Sequence, residues 1–274
     1  MKKLIIISVL VALFAFNSKQ TDPFQTVQES GKDTKVVLRD LDQSNFKRGE
    51  KLVYRIHYGF IDAALASLEI QDENRQIGGR NTLHVVGLGI SKGSFDYFFK
   101  VRDRYETYID EEAMVPWVFV RRVDEGGYKF AQNQVYNHYK KTVDSDGKVF
   151  ETVENIQDML SAFYFARTMD FTTAKKGDTY SVTTFVDNEI WDLKIKFLGR
   201  ETIKTELGRV QCLKFCPVVQ KGRIFKKEED LKIWISDDAN HVPVRGQCDI
   251  LFGSLKMDII ETKNLITPLK IVKK

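Results

Sequence analysis

The chain has 274 residues, a formal net charge of +4 at pH 7 and 43% hydrophobic residues. That hydrophobic share is enough for a folded core, and the Lys and Arg residues are scattered without a basic block, which argues against a nucleic-acid partner. The 3 cysteines and 4 histidines lack the spacing of metal ligands, so we predict neither a metal nor a cofactor.

The N-terminus predicts export through a Sec signal peptide over residues 1–18. Two lysines precede an apolar run from Leu4 to Phe16, and polar residues follow it, in the order typical of such signals. The run is shorter than the ~20 residues of a membrane-spanning helix. Since the first cysteine is Cys212, we expect a periplasmic or secreted protein rather than a lipoprotein, with no transmembrane span after signal removal. The alternative is an uncleaved N-terminal anchor.

Strand signals dominate the rest of the chain. Residues 19–45 are polar and aperiodic, which predicts a flexible leader. From Leu52 to Tyr58 the side chains then alternate with a period of two, and similar runs follow, for about twelve predicted strands. Turn residues such as the Gly78-Gly79 pair separate them. We expect a single β-rich domain over 46–265 and a C-terminal tail over 266–274.

Helical periodicity occurs mainly in one segment, about 155–169. Asn155 is its predicted N-cap, and Asp158 and Arg167 have the signs that the helix dipole favours at the two ends. A shorter helical turn is predicted around Phe95 to Phe99. The apolar stripe of the longer helix consists of Ile156, Met159, Leu160, Phe163 and Tyr164.

These elements predict the fold class. Consecutive strands joined by tight turns pair antiparallel, and a sheet of this many strands must curl. The single long apolar helix needs a surface to cover. We therefore expect a mostly β protein, with a strongly curved antiparallel sheet or a partly open β-barrel packed on one α-helix.

The three cysteines leave the disulfide state open. Cys212 and Cys216 are predicted to lie on one face of one strand, ~13 Å apart, which excludes a disulfide between them. Either could face Cys248 on a neighbouring strand. Buried thiols acting as small apolar side chains are the alternative.

Four short motifs follow one another along the chain: Gly49–Tyr54, Val101–Asp110 followed by Pro116, Gln157–Arg167, and Ile233–Asp238 followed by Val242–Val244. In this order and spacing they resemble the DUF3108 family of uncharacterised exported bacterial proteins. The resemblance covers about residues 45–263 and implies a β-rich secreted or periplasmic protein with no assigned activity and no catalytic residues to carry over.

A weaker resemblance connects the end of the chain to the LolA/LolB-like carriers. Trp234-Ile235-Ser236, a turn and Val242-Pro243 are similar to a pattern in those proteins. The resemblance implies an open β-barrel with helical lids that holds a lipid chain.

The aromatic residues supply the candidate ligand site. They could line an apolar groove between the helix and the sheet, because barrel mouths are common ligand sites. A core filled by side chains is the alternative. The five candidates are Tyr54, Phe163, Tyr164, Trp191 and Trp234.

Three functions follow from these observations. The first is an exported, non-enzymatic envelope protein that binds an apolar or amphiphilic ligand such as a lipid. The second is a protein-interaction module that binds an envelope protein through a strand edge or the helix face. The third is a hydrolase of envelope polysaccharide, which needs two carboxylates across a cleft, such as Glu189 with Asp192 or the run 228–230. No Gly-x-Ser-x-Gly or His-Glu-x-x-His motif is present, so no catalytic residue is predicted.

Overall fold

A computed structural model describes residues 37–218, 231–249 and 253–272. Within these residues, fifteen strands form one antiparallel sheet that is accompanied by two helices, which confirms the predicted mostly β fold. The strands are β1 Lys51–Tyr58, β2 Ile61–Ile70, β3 Arg75–Ile77, β4 Arg80–Ser91, β5 Arg102–Asp110, β6 Pro116–Glu125, β7 Tyr128–Asn137, β8 Thr142–Ser145, β9 Lys148–Glu151, β10 Thr179–Val186, β11 Glu189–Thr205, β12 Gly208–Pro217, β13 Leu231–Ser236, β14 Pro243–Asp249 and β15 Ser254–Lys263. The helices are α1 Gly93–Phe98 and α2 Met159–Arg167.

The first and last strands of the domain lie in the middle of the sheet. The order is β10-β11-β12-β13-β14-β15-β1-β2-β4-β5-β6-β7-β8-β9, with β3 added to β4. Strands β1 and β15 therefore pair, and β9 and β10 are the two edges. The two edges lie close to each other: the ring centroids of Phe150 on β9 and Phe185 on β10 are 5.5 Å apart. The sheet is thus strongly curved but not closed.

The segment before α2 extends the β10 edge. The Gln157 amide donates to the Thr183 carbonyl at 3.0 Å, and the Phe185 amide donates to the Gln157 carbonyl at 2.8 Å. Because this segment forms strand-like hydrogen bonds, the chain cannot be helical there. Helix α2 consequently begins at Met159, and the predicted start at Asn155 is wrong.

Asp158 is the N-cap of α2. Its Oδ1 accepts from the amides of Leu160 and Ser161 at 2.7 and 2.8 Å. In return, the Ser161 hydroxyl accepts from the Asp158 amide at 2.8 Å, which completes a capping box. Asn155 has a positive φ of 56° instead of a capping geometry. The short polar side chain of Asn tolerates this left-handed conformation.

The helix packs its predicted apolar stripe against the concave side of the sheet. Tyr164 is fully buried and belongs to one hydrophobic cluster with Phe46, Ile70, Leu83 and Ile109. Burial of an aromatic side chain of this size contributes about 1.5–3 kcal/mol. The concave side is therefore occupied by α2 along this cluster.

A buried ion pair joins three distant parts of the chain. The Arg167 guanidinium at the end of α2 donates to both carboxylate oxygens of Glu50, at 2.6 and 2.8 Å. It also donates to the Asn240 carbonyl between β13 and β14 at 3.0 Å. Arg167 is 2% exposed and Glu50 is 0% exposed. Arg167 thus fixes α2 to the start of β1, a larger role than the predicted helix-end charge.

The stretches that flank the sheet also contact it. Within the predicted leader, 19–45, Arg39 donates to main-chain carbonyls of the β5–β6 turn at 2.7 and 3.0 Å. Within the predicted tail, 266–274, the Val272 amide donates to the Arg209 carbonyl at 2.7 Å. The predicted signal peptide lies outside the described residues.

The cysteines, all three of which lie in described strands, form no disulfide. Cys212 and Cys216 are buried, and burial raises the pKa of the Cys212 thiol to about 12. Of the helices in the described ranges, none has the length and apolar character that crossing a membrane requires.

The first testable prediction concerns the buried ion pair. Arg167→Met should lower the free energy of unfolding by about 3–5 kcal/mol, because it leaves the Glu50 carboxylate buried without a counter-charge. The double variant Glu50→Leu/Arg167→Met should recover much of this loss, because no charge then stays buried. Urea unfolding followed by tryptophan fluorescence measures both variants.

The exposed pair Lys141–Glu154, with its ions 2.7 Å apart, provides the control. Lys141→Met should leave stability close to that of the wild type, because water screens this pair. A loss for Arg167→Met as small as that of the control would contradict the assigned role of the ion pair.

Candidate functional site

The five predicted ligand-binding residues are divided among three places. Tyr54 and Trp234, at 1% and 5% exposure, share one hydrophobic cluster. Phe163 and Tyr164 lie together in a second cluster, with their rings 5.7 Å apart. Trp191 lies on β11 and is 48% exposed. The structure thus brings two pairs together but does not gather all five in one groove, and ligand binding by them stays a prediction.

Two of these residues have buried hydroxyls without a hydrogen-bond partner. These are the phenol oxygens of Tyr54 and Tyr164. Burial raises the pKa of both phenols, with smaller effects from the neighbouring Glu50 and Arg167. Both are therefore neutral hydroxyls beside the buried ion pair. An unsatisfied buried hydroxyl costs about 1–3 kcal/mol. The two phenols and the ion pair together form a polar position inside the core.

A buried carboxyl pair lies on the concave face of β5 and β6. Asp103 and Glu125 are 9% and 7% exposed and are hydrogen-bonded to each other. Burial, together with the hydrogen bond and the charge of Asp103, raises the pKa of Glu125 to about 7. The protonated Glu125 thus donates to Asp103, which also accepts from the Asp124 amide at 3.0 Å.

A buried arginine accompanies the pair. Arg121 is 2% exposed and lies 4.6 Å over the Phe130 ring, and its Nη1 donates to Asp187 at 2.9 Å. Its charge counteracts part of the pKa increase of Glu125. The arrangement stores a shared proton in the interior of the sheet.

The geometry of the carboxyl pair does not fit glycoside hydrolysis. Hydrolases of this kind hold their carboxyls at least ~5 Å apart to leave room for the sugar carbon or a water, whereas Asp103 and Glu125 are hydrogen-bonded to each other. Of the carboxylates proposed from the sequence, Glu189 and Asp192 do not form a pair either. Glu189 and Asp192 are exposed on β11, where their odd spacing places them on opposite faces, and residues 228–230 lie outside the described residues.

One end of the sheet carries exposed aromatic residues. Because neighbouring strands are antiparallel, the turn 59–60, the α1 connection 92–101 and the turn 126–127 lie at the same end, here called the turn end. Hydrogen bonds join them: the Lys92 amide donates to the Ala63 carbonyl at 2.9 Å. The α1 connection therefore lies against the start of β2, directly after the 59–60 turn.

Four apolar side chains of the turn end point into solvent and are here called the aromatic rim. Phe60 is fully exposed, and Tyr97 and Phe98 are 88% and 81% exposed. Ile61 is 59% exposed. The members of the rim are thus Phe60, Ile61, Tyr97 and Phe98.

Helix α1 is held in place by its other aromatic residues. Phe95 and Phe99 are half-buried and lie 6.3 Å apart, centroid to centroid. Gly126 has a φ of 57°, and a side chain there would overlap the Phe99 ring. The glycine is therefore required both by its backbone conformation and by the close approach of Phe99. Anchored on this side, α1 presents Tyr97 and Phe98 outward.

Two open depressions lie on the surface of the described part of the chain. The first has a volume of about 250 Å³ and lies over β11–β13, with Glu201 and Lys214 among its lining residues. The second has about 300 Å³ and lies beside Phe60, lined by His57, Tyr58, Gly59, Gly253, Ser254 and Lys256. In the described ranges, no three or more metal-ligating side chains lie together in a group that could hold a metal ion.

The sequence analysis predicted neither the buried carboxyl pair nor the exposed Phe60. Asp103 and Glu125 are far apart in the chain, and only the antiparallel register of β5 and β6 brings them together. Phe60 follows Gly59 in a turn, and a large apolar residue in a tight turn was the available signal for an exposed side chain.

The strongly curved antiparallel sheet is that of a β-barrel-like protein. The model of one family, described as protein of unknown function (DUF3108), matches residues 53–260, and the chain belongs to that family. This confirms the resemblance found in the sequence. Among curated proteins, none matches the chain.

Solved structures support the fold assignment. The β-barrel-like protein of the domain of unknown function DUF1849 from Brucella abortus has a TM-score of 0.52 and 9% identity, over 81% of this chain and 99% of that chain. At this identity the likeness shows the fold alone.

Two further structures have lower TM-scores. A candidate lipoprotein from Parabacteroides distasonis has a TM-score of 0.34 and 12% identity, over 82% of this chain and 99% of that one. A candidate exported protein with a YmcC-like fold from Bacteroides fragilis has a TM-score of 0.33 and 10% identity, over 83% of this chain and 100% of that one.

The second testable prediction concerns the shared proton. The pKa of Glu125 in the folded state, about 7, lies above its ordinary value of 4.5. The folded protein therefore holds a proton that the unfolded chain releases, and stability falls as the pH rises through about 7. Glu125→Gln is neutral at every pH, so the variant should lose this part of the pH dependence.

The measurement is the urea midpoint between about pH 5 and about pH 8 for the wild type, for Glu125→Gln and for the exposed control Glu189→Gln. The difference between wild type and Glu125→Gln should change with pH, while that for the control should not. Parallel curves for wild type and Glu125→Gln would show that Glu125 is ionised like an ordinary surface carboxyl.

Proposed function

We propose that this protein is an exported, non-enzymatic protein of the cell envelope that binds an amphiphilic ligand, namely lipid, through the aromatic rim. The observation that carries the proposal is the exposure of Phe60, Tyr97 and Phe98 at one end of the sheet. Large apolar side chains that cluster on a surface mark sites for membranes, ligands or proteins.

The energetics are consistent with reversible binding. Transfer of one such side chain from water to an apolar medium contributes about 1.5–3 kcal/mol. Insertion of Phe60, Tyr97 and Phe98 into the headgroup region therefore supplies several kcal/mol before the costs of ordering and orientation are subtracted. Aromatic side chains are also the residues that favour the interface between membrane and water.

The rim supports binding at the surface better than the interior does. Tyr54, Tyr164 and Trp234 are buried by protein neighbours, so a lipid chain could reach them only if α2 moved. Phe163 is half-buried and Trp191 is exposed, and these two are accessible with less rearrangement. We propose the five residues as secondary lipid contacts at three separate places, of which Phe163 and Trp191 are reached without movement of α2.

Location in the envelope follows from the N-terminal sequence. A Sec signal peptide over 1–18 would place the mature protein in the periplasm or outside the cell, where lipid surfaces are accessible to it. The lack of a cysteine directly after the apolar run favours a protein without a lipid anchor. A protein without an anchor needs its own surface to contact a membrane, and the aromatic rim provides one.

A second candidate is a protein-interaction module. Ile190, Trp191 and Leu193 on β11 are 43%, 48% and 45% exposed. In the described sheet, this part of β11 pairs with β10 only, because its pairing with β12 begins at Ile195. The exposed strand edge would suit an added strand from an envelope protein.

The third testable prediction concerns the aromatic rim. The purified mature protein should float with vesicles of phosphatidylcholine and phosphatidylglycerol. The triple variant Phe60→Ser/Tyr97→Ser/Phe98→Ser should lose at least about tenfold in affinity, because each substitution removes apolar surface from the contact. Flotation on a density gradient measures the bound fraction.

Val37→Ser is the matched control, because Val37 is 90% exposed but does not belong to the turn end. It should bind like the wild type. Equal binding by the triple variant and the wild type, with both folded, would refute the proposal and favour the strand-edge alternative.

A further inference from the structure

We propose that the depression beside Phe60 binds the phosphate group of anionic membrane lipids and so directs the aromatic rim to negatively charged bilayers. This inference rests on the proposed function, because the rim supplies the apolar part of the contact. The occupant is the headgroup of a lipid in a membrane, and free phosphate is tested against it below.

The position of the depression suits a headgroup. It lies between the β1–β2 turn and the start of β15, where Tyr58 pairs with Leu255. Gly59 lines it, and the fully exposed Phe60 is the next residue. A lipid whose acyl chains contact Phe60 would therefore have its headgroup at the depression.

The lining of the depression has the chemistry of an anion site. Its lining residues include Lys256, which carries an ammonium group, and Ser254 and Tyr58, which carry hydroxyls, and among the described residues no carboxylate lines it. Lysine and hydroxyl groups are common donors to phosphate oxygens. A volume of about 300 Å³ is of the size that a lipid phosphate and its first substituents occupy.

The nearest carboxylate on β14 is engaged elsewhere. Asp249 pairs with the Lys232 ammonium at 2.6 Å. Hydrogen bonds from Lys232 and Gln247 lower the pKa of Asp249, and the charge of Lys256 contributes less. Lys256 itself has no carboxylate within ion-pair distance among the described residues. Its charge is therefore available for an anion.

The buried carboxylate behind the depression is also compensated. Asp258 binds the Arg245 guanidinium through one oxygen and the His57 Nε2 through the other, the latter at 3.0 Å. The Nδ1 of His57 contacts the Gly59 carbonyl at 2.9 Å. Asp258 is thus shared by two basic groups and does not cancel the charge of Lys256.

Other basic residues surround the rim. Lys92 and Lys100 flank α1, and both are exposed. Two acids of this region are paired: Asp96 binds Arg102 at 2.7 Å, and on β2 Asp62 lies 3.7 Å from Arg55. Each lysine close to an anionic membrane surface contributes about fivefold in affinity. An anionic membrane has negatively charged headgroups over an apolar interior. Lysines beside exposed aromatic residues are complementary to such a membrane.

The test compares vesicles of phosphatidylcholine alone with vesicles that also contain phosphatidylglycerol. The wild type should bind the phosphatidylglycerol vesicles at least about tenfold more tightly. Lys256→Gln should reduce this preference about fivefold and keep its affinity for phosphatidylcholine, whereas Lys256→Arg should retain the preference. Lys141→Gln, an exposed lysine that does not belong to the turn end, is the control and should behave like the wild type.

The outcomes separate this inference from the proposed function. Full phosphatidylglycerol preference in folded Lys256→Gln overturns the headgroup site, even when the rim binds vesicles. Binding of vesicles by the triple rim variant at the wild-type level overturns the proposed function instead. Competition by inorganic phosphate, combined with equal binding to both kinds of vesicle, shows a site for free anions and overturns the assignment to a membrane.

Discussion

The buried pair of Glu50 and Arg167 is the interaction on which the arrangement of this fold depends. It connects the start of β1, the end of α2 and the turn between β13 and β14. Because both charges are almost fully buried, each requires the other, and the pair holds the three segments together. The capping box at Asp158 fixes the opposite end of the same helix. With both ends fixed, α2 stays inside the curved sheet.

The position of α2 decides where a ligand can bind. A helix with its apolar stripe on the concave side fills the space that a lipid carrier would keep for its ligand. Near the turn end the concave face is instead polar, with Asp103, Glu125 and Arg121 buried together. An apolar chain finds no favourable surface among these groups. Large apolar side chains are instead accessible outside the sheet, among them the aromatic rim at the turn end.

The turn end combines two kinds of recognition in neighbouring residues. Phe60 provides apolar surface, and Lys256 provides a positive charge. Membership of a family without an assigned function and likeness to a β-barrel-like protein at 9% identity establish the fold but supply no ligand. The proposed function therefore rests on the chemistry of Phe60 and Lys256 and on the predicted export.

The sequence by itself determined the class of fold, because alternation with a period of two and the stripe of α2 are local patterns. It also determined the family, since short motifs in order need no coordinates. It could not place the start of α2, because Gln157 pairs with β10, a contact between segments distant in the chain. It could not separate the buried Tyr54 from the exposed Phe60, since both are aromatic residues of one hairpin. Burial depends on what the rest of the chain covers, and only the tertiary structure decides that.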